Sequence, residues 1–206
     1  GNPYQISNAD ELAYLAQQTN LGVDYTGVNF QVTTSLNLAN DEWIPIGTKE
    51  HPFKGEIDGN HYEISGLRIS VGNNYQGLLG AAQGATMKHF VIKSGSVVGD
   101  SIVGSLLGYA DNSIIEGCFN AASVTGKKTV GGLVGQLFNN STLTKSMNIG
   151  SVSAGNYDRF AGGNEVGGLV GYVLDSDINS CANFGSVVAD NSFQYLVGGL
   201  VGLIEN

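Results

Sequence analysis

Glu56 and Asp58 stand two residues apart in a stretch that reads as a strand, which puts both carboxylates on one face in the manner of a paired acid and base. Asp58-Gly59-Asn60 is also a turn signal, in which an aspartate bonds its own backbone, and this structural role is the stronger reading. Asp175, Asp177 and Asn179 alternate in the same way and could offer oxygen ligands to calcium, but without the glycine and distal glutamate of a calcium loop. His51, His61 and His89 share no ligand spacing, and Cys118 and Cys181 lack the histidine neighbours of a zinc site, so neither a metal nor a cofactor is expected. Residues suited to recognition rather than catalysis form two groups, Tyr157, Asp158, Arg159 and Phe160, then Phe193, Gln194 and Tyr195, where aromatic surface sits beside charged and hydrogen-bonding groups.

What must position these residues is a repeat. Gly77-Leu78-Leu79-Gly80 recurs as Gly104-Ser105-Leu106-Leu107-Gly108, then as Gly-Gly-Leu-Val-Gly at 131–135, 167–171 and 198–202. Between these copies Ile115, Leu143 and Ile178 each begin a second motif, with Cys118, Ser146 and Cys181 at plus three, Asn120, Asn148 and Asn183 at plus five, and Val124, Val152 and Val187 at plus nine. The stretch from Met87 to Val97 is a weaker copy with one extra residue and Ile92 where Asn would stand.

With 31 glycines and apolar runs of two to four residues, helical repeats are disfavoured. The period suits a parallel β-solenoid, one coil of short strands per repeat. Stacking at about 4.8 Å turns equivalent positions into ladders. Asn120, Asn148 and Asn183 then form a structural asparagine ladder at a corner, and the three valines an inward aliphatic one. Cys118 and Cys181 share a column but lie two coils apart, about 9.6 Å on that spacing, too far for a disulfide, and are expected as free, buried thiols.

Residues 8 to 19 read as a helix, with Asn8 as cap, Glu11 completing a capping box, and Leu12, Leu15, Ala16 and Thr19 on one face. Such a helix would plug the open end of the solenoid. Strands are expected at Phe30–Val32, Ser35–Leu38, Ile44–Ile46, Glu56–Asp58 and Ile64–Ile69. The whole chain, 1–206, reads as a single domain, with the capping helix and irregular first coils in 1–75 and the regular repeats in 76–206. Opening on Gly1 and stopping four residues after a repeat-closing glycine, it reads as a fragment, to be continued by further coils, by another domain or by end-to-end pairing of two copies.

A net charge of -9 would repel a phosphate backbone, so no nucleic-acid partner is expected. No run of about 18 apolar residues is present. All length variation falls at one corner, between the valine ladder and the next Val-Gly-Gly, where the segments 153–165 and 188–196 carry the two aromatic groups. Insertions on one face of a repeat array are where binding commonly occurs.

The repeated Gly-Gly-Leu-Val-Gly with Ile-x-x-Cys-x-Asn between its copies resembles the GLUG-motif family of bacterial surface and secreted proteins, and Trp43-Ile44-Pro45-Ile46-Gly47 followed by Pro52-Phe53-Lys54-Gly55-Glu56-Ile57-Asp58-Gly59-Asn60 looks like the segment that commonly precedes such repeats. Ser105 for the second Gly, and Gln76 in the first copy, depart from the pattern. The resemblance implies a right-handed parallel β-helix, exported to the cell surface or beyond, with no defined catalytic residues. Parallel β-helices also house polysaccharide lyases and hydrolases, but the Asp-Asp, Gly-His-Gly and Arg-x-Lys pattern of one such group is absent, and Arg68 and Arg159 are the sole arginines. The expectation is therefore a non-enzymatic, adhesin-like module touching a glycan or host-surface protein, with a carbohydrate-active enzyme or a structural accessory module of a secreted peptidase as alternatives.

Overall fold

A computed structural model describes residues 2–155, 164–190 and 195–205. Its strands all pair in parallel and wind into a β-solenoid of about seven turns, set by the longest ladder: Tyr4–Ile6, Asn29–Val32, Glu56–Asp58, Thr86–Lys88, Ile114–Glu116, Thr142–Thr144 and Asp177–Asn179. The other faces are a six-strand sheet carrying the asparagines, a five-strand sheet carrying the valines, a three-strand sheet at Val130–Gly131, Glu165–Gly167 and Leu196–Gly198, and a five-strand sheet at Leu79–Gln83, Leu107–Asp111, Val134–Phe138, Val170–Leu174 and Val201–Glu205.

The interior is a set of aliphatic columns. Ile57, Met87, Ile115 and Leu143 stack in register and are fully buried, as are Val97, Val124 and Val152. The period-2 alternation of a strand sends their neighbours outward, Arg68 among them, half exposed between buried Leu67 and Ile69.

The asparagine ladder forms as the repeat predicts. Nδ2 of Asn120 donates to Oδ1 of Asn148 at 2.7 Å, and Nδ2 of Asn148 to Oδ1 of Asn183 at 2.9 Å. Each amide also closes its own corner: Asn148 Oδ1 accepts from the Gly150 N–H while its Nδ2 donates to the Gly150 carbonyl. The glycine motif exists for the same reason, because the ladder packs on it. A Cβ at Gly132 would lie 2.5 Å from Asn148 Nδ2 and one at Gly168 would lie 2.2 Å from Asn183 Nδ2. Ser105 is tolerated where the ladder begins, its hydroxyl donating to the Gly132 carbonyl beside Asn120. Gln76 proves not to fill a glycine position: it bridges to Val103 and heads the column Val103, Val130.

Cys118 and Cys181 are free, with Ser146 between them: its hydroxyl accepts from the Cys118 N–H, and its own N–H points at Cys181 Sγ. Only Cys118 is buried. Cys181 is half-buried because, among the described residues, no strand stacks beyond Asp177–Asn179 and Ala182–Asn183 on either side of it. Burial pushes the Cys118 thiol up to about 12 and raises that of Cys181 as well, and only a thiolate attacks disulfide reagents. In the native protein a chromogenic disulfide reagent should therefore label Cys181 slowly and Cys118 not at all, with both reacting in denaturant. Rapid native labelling of two thiols would contradict this packing.

The helix spans Ala9–Asn20 and buries the four residues expected. Asn8 Oδ1 accepts from the Glu11 N–H at 2.9 Å, while the Glu11 carboxylate accepts from the backbone N–H and the hydroxyl of Ser7 rather than from Asn8 itself. Leu12, Leu15 and Ala16 join the core formed by the first coils, and the Asn20 amide clamps the Pro45 carbonyl and the Gly47 N–H, closing that end. Ile44–Ile46 does not form the expected strand. Pro45 has no N–H to give a ladder, and only Ile46 makes a bridge, to Leu79. The expected strand at Ile64–Ile69 is broken into Glu63–Ser65 and Leu67–Ile69 by Gly66, whose φ of 69° turns a corner.

Several exposed carboxylates are held by hydrogen bonds that an unfolded chain lacks. Glu11 is lowered by Ser7, Glu42 by the hydroxyl and N–H of Ser70, Glu116 by Lys145, and Asp24 by Thr26 down to about 2. A depressed folded value means stability that is complete above the unfolded value of about 4.5 and is lost as pH falls through the folded ones. Thermal melts should thus show a constant midpoint from neutral pH to about 5 and a decline from there toward pH 2. A midpoint that rises on acidification would refute the assignment.

Candidate functional site

Of the residues that the sequence nominates for recognition, Tyr157, Asp158, Arg159, Phe160, Phe193 and Gln194 lie outside the described residues. Tyr195 is described. It packs on the core and its hydroxyl donates to the Lys127 carbonyl at 3.2 Å, reaching from the last coil to one two coils earlier. Lys127 in turn pairs with Asp100 through its side chain at 2.5 Å and through its N–H at 2.9 Å. Asp100, Lys127 and Tyr195, each from a different coil, are therefore neighbours at this corner.

Beside that corner lies a feature that the sequence reading missed. In the strands Leu107–Asp111, Val134–Phe138 and Val170–Leu174, the residues Ala110, Leu137 and Val173 point inward, so strand alternation turns Tyr109, Phe138 and Tyr172 to the other side, where Phe138 and Tyr172 are partly exposed and Tyr109 is covered. Tyr109, Gln136 and Tyr172 form one column and Asp111, Phe138 and Leu174 the next, so the rings meet on the diagonal. Starting from Tyr75 at the corner, successive centroids are 6.1, 5.5 and 5.1 Å apart with interplanar angles of 85, 82 and 90°. Such edge-to-face pairs contribute about 0.5–1.5 kcal/mol each beyond their buried area.

Polar groups flank the row. Lys49 Nζ sits 3.3 Å from the Tyr109 ring centroid, a cation–π contact. Asp111 accepts from the amides of Gln83 and Asn139, at 3.3 and 2.9 Å. Tyr172 donates to Glu205, and that bond pushes its phenol up to about 12, so it stays a neutral donor. Lys49, Gln83, Tyr109 and Asp111 line a groove of about 210 Å³. Glu165, which accepts from the Thr129 hydroxyl at 2.9 Å and whose charge acts on Tyr172, ties the row to the variable corner. The row's only sequence signal was an aromatic one or three residues past the closing glycines at 108, 135 and 171.

The other chemistry-bearing residues are engaged elsewhere. Glu56 pairs with Lys88 at 2.5 Å, and Asp58 accepts from the Asn60 N–H and contacts His89 Nδ1 at 3.0 Å. His61 and His89, read separately in sequence, occupy the same left-handed corner of successive coils, with φ of 60° and 55°, and their rings stack at 4.4 Å. Asp175 turns a corner at φ 48° and Asp177 lies in a strand; among the described residues no group of three or more His, Cys, Asp or Glu converges on a point.

No family model matches the chain. It is 33% identical over 99 residues, 47% of its length, to "Halomucin" of Haloquadratum walsbyi, and 31% identical over 103 residues, 49% of its length, to a "Putative Gly-rich membrane protein" of Evansella cellulosilytica. The chain spans 1% and 12% of those two proteins. Among solved structures it is similar to a "putative immunoglobulin A1 protease" of Bacteroides ovatus, with a TM-score of 0.70 and 18% identity, over 95% of this chain and 64% of that one. At that identity the likeness shows the fold alone. No helix among the described residues is long and apolar enough to cross a membrane.

Proposed function

We propose that this chain is a non-enzymatic, adhesin-like module of a GLUG-type surface or secreted protein, and that it contacts a glycan across the face made by the variable corner and the aromatic row. The observation that carries the reading is the row of rings Tyr75, Tyr109, Phe138 and Tyr172, of which Tyr75, Phe138 and Tyr172 are partly exposed and Tyr109 is buried under Lys49, with Gln83 and Asp111 beside it. Ring faces and edges suit the C–H surface of a sugar, and the amides and carboxylate suit its hydroxyls. The partial likeness to a mucin-named and a membrane-named protein supports display outside the cell. Engagement of Glu56 by Lys88 and of Asp58 by His89 supports structural rather than catalytic work for the one carboxylate pair with acid–base spacing.

The test is a glycan array probed with the wild-type chain and with Tyr172→Ala, an exterior substitution that leaves the interior columns intact. Specific binding should fall about tenfold in the variant, the loss of one aromatic anchor, while the fold survives with a stability loss on the order of the one ring pair removed, about 0.5–1.5 kcal/mol. A second variant, with Tyr157, Arg159 and Phe160 changed to Ala, separates the corner loop from the row. Release of reducing ends from any bound polysaccharide would overturn the non-enzymatic reading.

A further inference from the structure

At the helix-capped end, away from the aromatic row, the molecule carries a cleft of about 780 Å³ that the proposed glycan face does not use. One wall is the helix, presenting Tyr14. The other is the first two strands and the turn between helix and strand, presenting Tyr4, Phe30 and Tyr25. Phe30 is the hub: its centroid lies 5.7 Å from that of Tyr4 and 5.1 Å from that of Tyr25, the latter edge-to-face. Tyr4 and Tyr14 are respectively 67% and 62% exposed, far more open than the other rings of this end, so two aromatic surfaces face the opening with nothing on them.

The charge of the lining is of one sign. Asp10, Glu11 and Asp24 stand around the cleft, and no lysine or arginine is among its lining residues. Hydrogen bonds from Ser7 and Thr26 hold Glu11 and Asp24 below the usual carboxylate range, so both stay charged well below neutral pH. Lys54 lies outside the lining and pairs with Asp24 at 3.3 Å. Besides the hydroxyls of Tyr4, Tyr14 and Tyr25 and the Gln5 amide, the lining side chains offer π faces and three carboxylates with no positive charge among them. That combination attracts a cation carried on an apolar stem.

We propose that this cleft is a binding site for an alkylammonium group, a lysine side chain of a partner polypeptide, with the stem against Tyr4 and Phe30 and the charge between the Tyr14 ring and the carboxylates. The test is an NMR titration of the chain with Nα-acetyl-lysine methylamide, its neutral isostere Nα-acetyl-norleucine methylamide, and methyl β-glucoside. Lysine amide should shift resonances of Tyr4, Tyr14 and Tyr25, with norleucine amide at least about fivefold weaker and affinity falling as salt rises. Tyr14→Ala should weaken the lysine ligand about three- to fivefold. Asp10→Asn should flatten the salt dependence. Both residues are exposed, so folding is preserved. Equal binding of the isostere, preferential binding of the glucoside, shifts that follow protein concentration rather than ligand, or no shifts at all would each overturn the proposal.

Discussion

Gly132→Ala should lower the stability of this chain by about 3 kcal/mol, while Gly199→Ala, at the equivalent position of the last coil, should leave it unchanged or raise it by up to about 1 kcal/mol. The two glycines belong to the same motif and neither takes a left-handed φ, so conformational preference does not separate them. Space does. A Cβ on Gly132 would come within 2.2 Å of the Gly168 carbonyl oxygen of the next coil, a backbone atom fixed by its own ladder, and within 2.5 Å of the Asn148 amide. A Cβ on Gly199 meets nothing within 4 Å. Relieving the clash at 132 means separating two coils or expelling Asn148 from its bonds, and both disrupt interior columns on either side. The small gain expected from stiffening the unfolded chain, about 0.4 to 1 kcal/mol, cannot offset that. Chemical denaturation of the two variants and the wild type reads the difference directly. Similar midpoints for both variants would mean that the coils tolerate a wider spacing here, and that the glycines are kept for some reason other than the close approach of the next turn.

The solenoid was legible because stacking translates a linear period into columns, and columns show in a sequence as repeated residue types. Asn120, Asn148 and Asn183 could be assigned to one ladder from spacing alone, and so could the valines, since each position sees the same neighbours in every coil. The helix was legible through its cap and its four apolar positions. Reading failed where a local chemical rule competed with the pattern: Pro45 could not supply a ladder N–H, and Gly66 turned a corner inside what looked like one strand. It failed more deeply for the candidate sites. The aromatic row is assembled on the diagonal between two exterior columns, so Tyr109, Phe138 and Tyr172 obey no single spacing. The His61 and His89 stack, 28 residues apart, had the coil period but was hidden because histidine occupies the corner in only those two of the turns. Exterior residues are under no packing constraint that would repeat them, which is why a repeat search finds the core and overlooks the surface.

Asn148→Ala should cost about 3 kcal/mol, near the top of the range for a buried hydrogen-bonding group, because its loss strands partners rather than merely removing a bond. The side chain is fully buried and makes four bonds: to Asn120 and Asn183 along the ladder, and to the N–H and carbonyl of Gly150 within its own corner. Asn120 keeps the carbonyls of Ala122 and Gly132, so that donor survives. The Gly150 N–H has no substitute and is left buried. An aliphatic replacement tests whether filling the space is enough. Ile92 and Ile64 occupy this same column in earlier coils, yet there the aliphatic ladder at Val97 and Ile69 follows at plus five, whereas Val124, Val152 and Val187 follow Asn120, Asn148 and Asn183 at plus four. The longer corner turns without an asparagine; the shorter one needs the side chain to take up its inward-facing N–H. Asn148→Ile should therefore be as destabilising as Asn148→Ala, and should recover part of the loss only when one residue is inserted at position 150 to lengthen the corner. If Asn148→Ile alone matched the wild-type denaturation midpoint, the column would be serving volume and not hydrogen bonding, and the pairing of asparagine with the shorter corner would have to be abandoned.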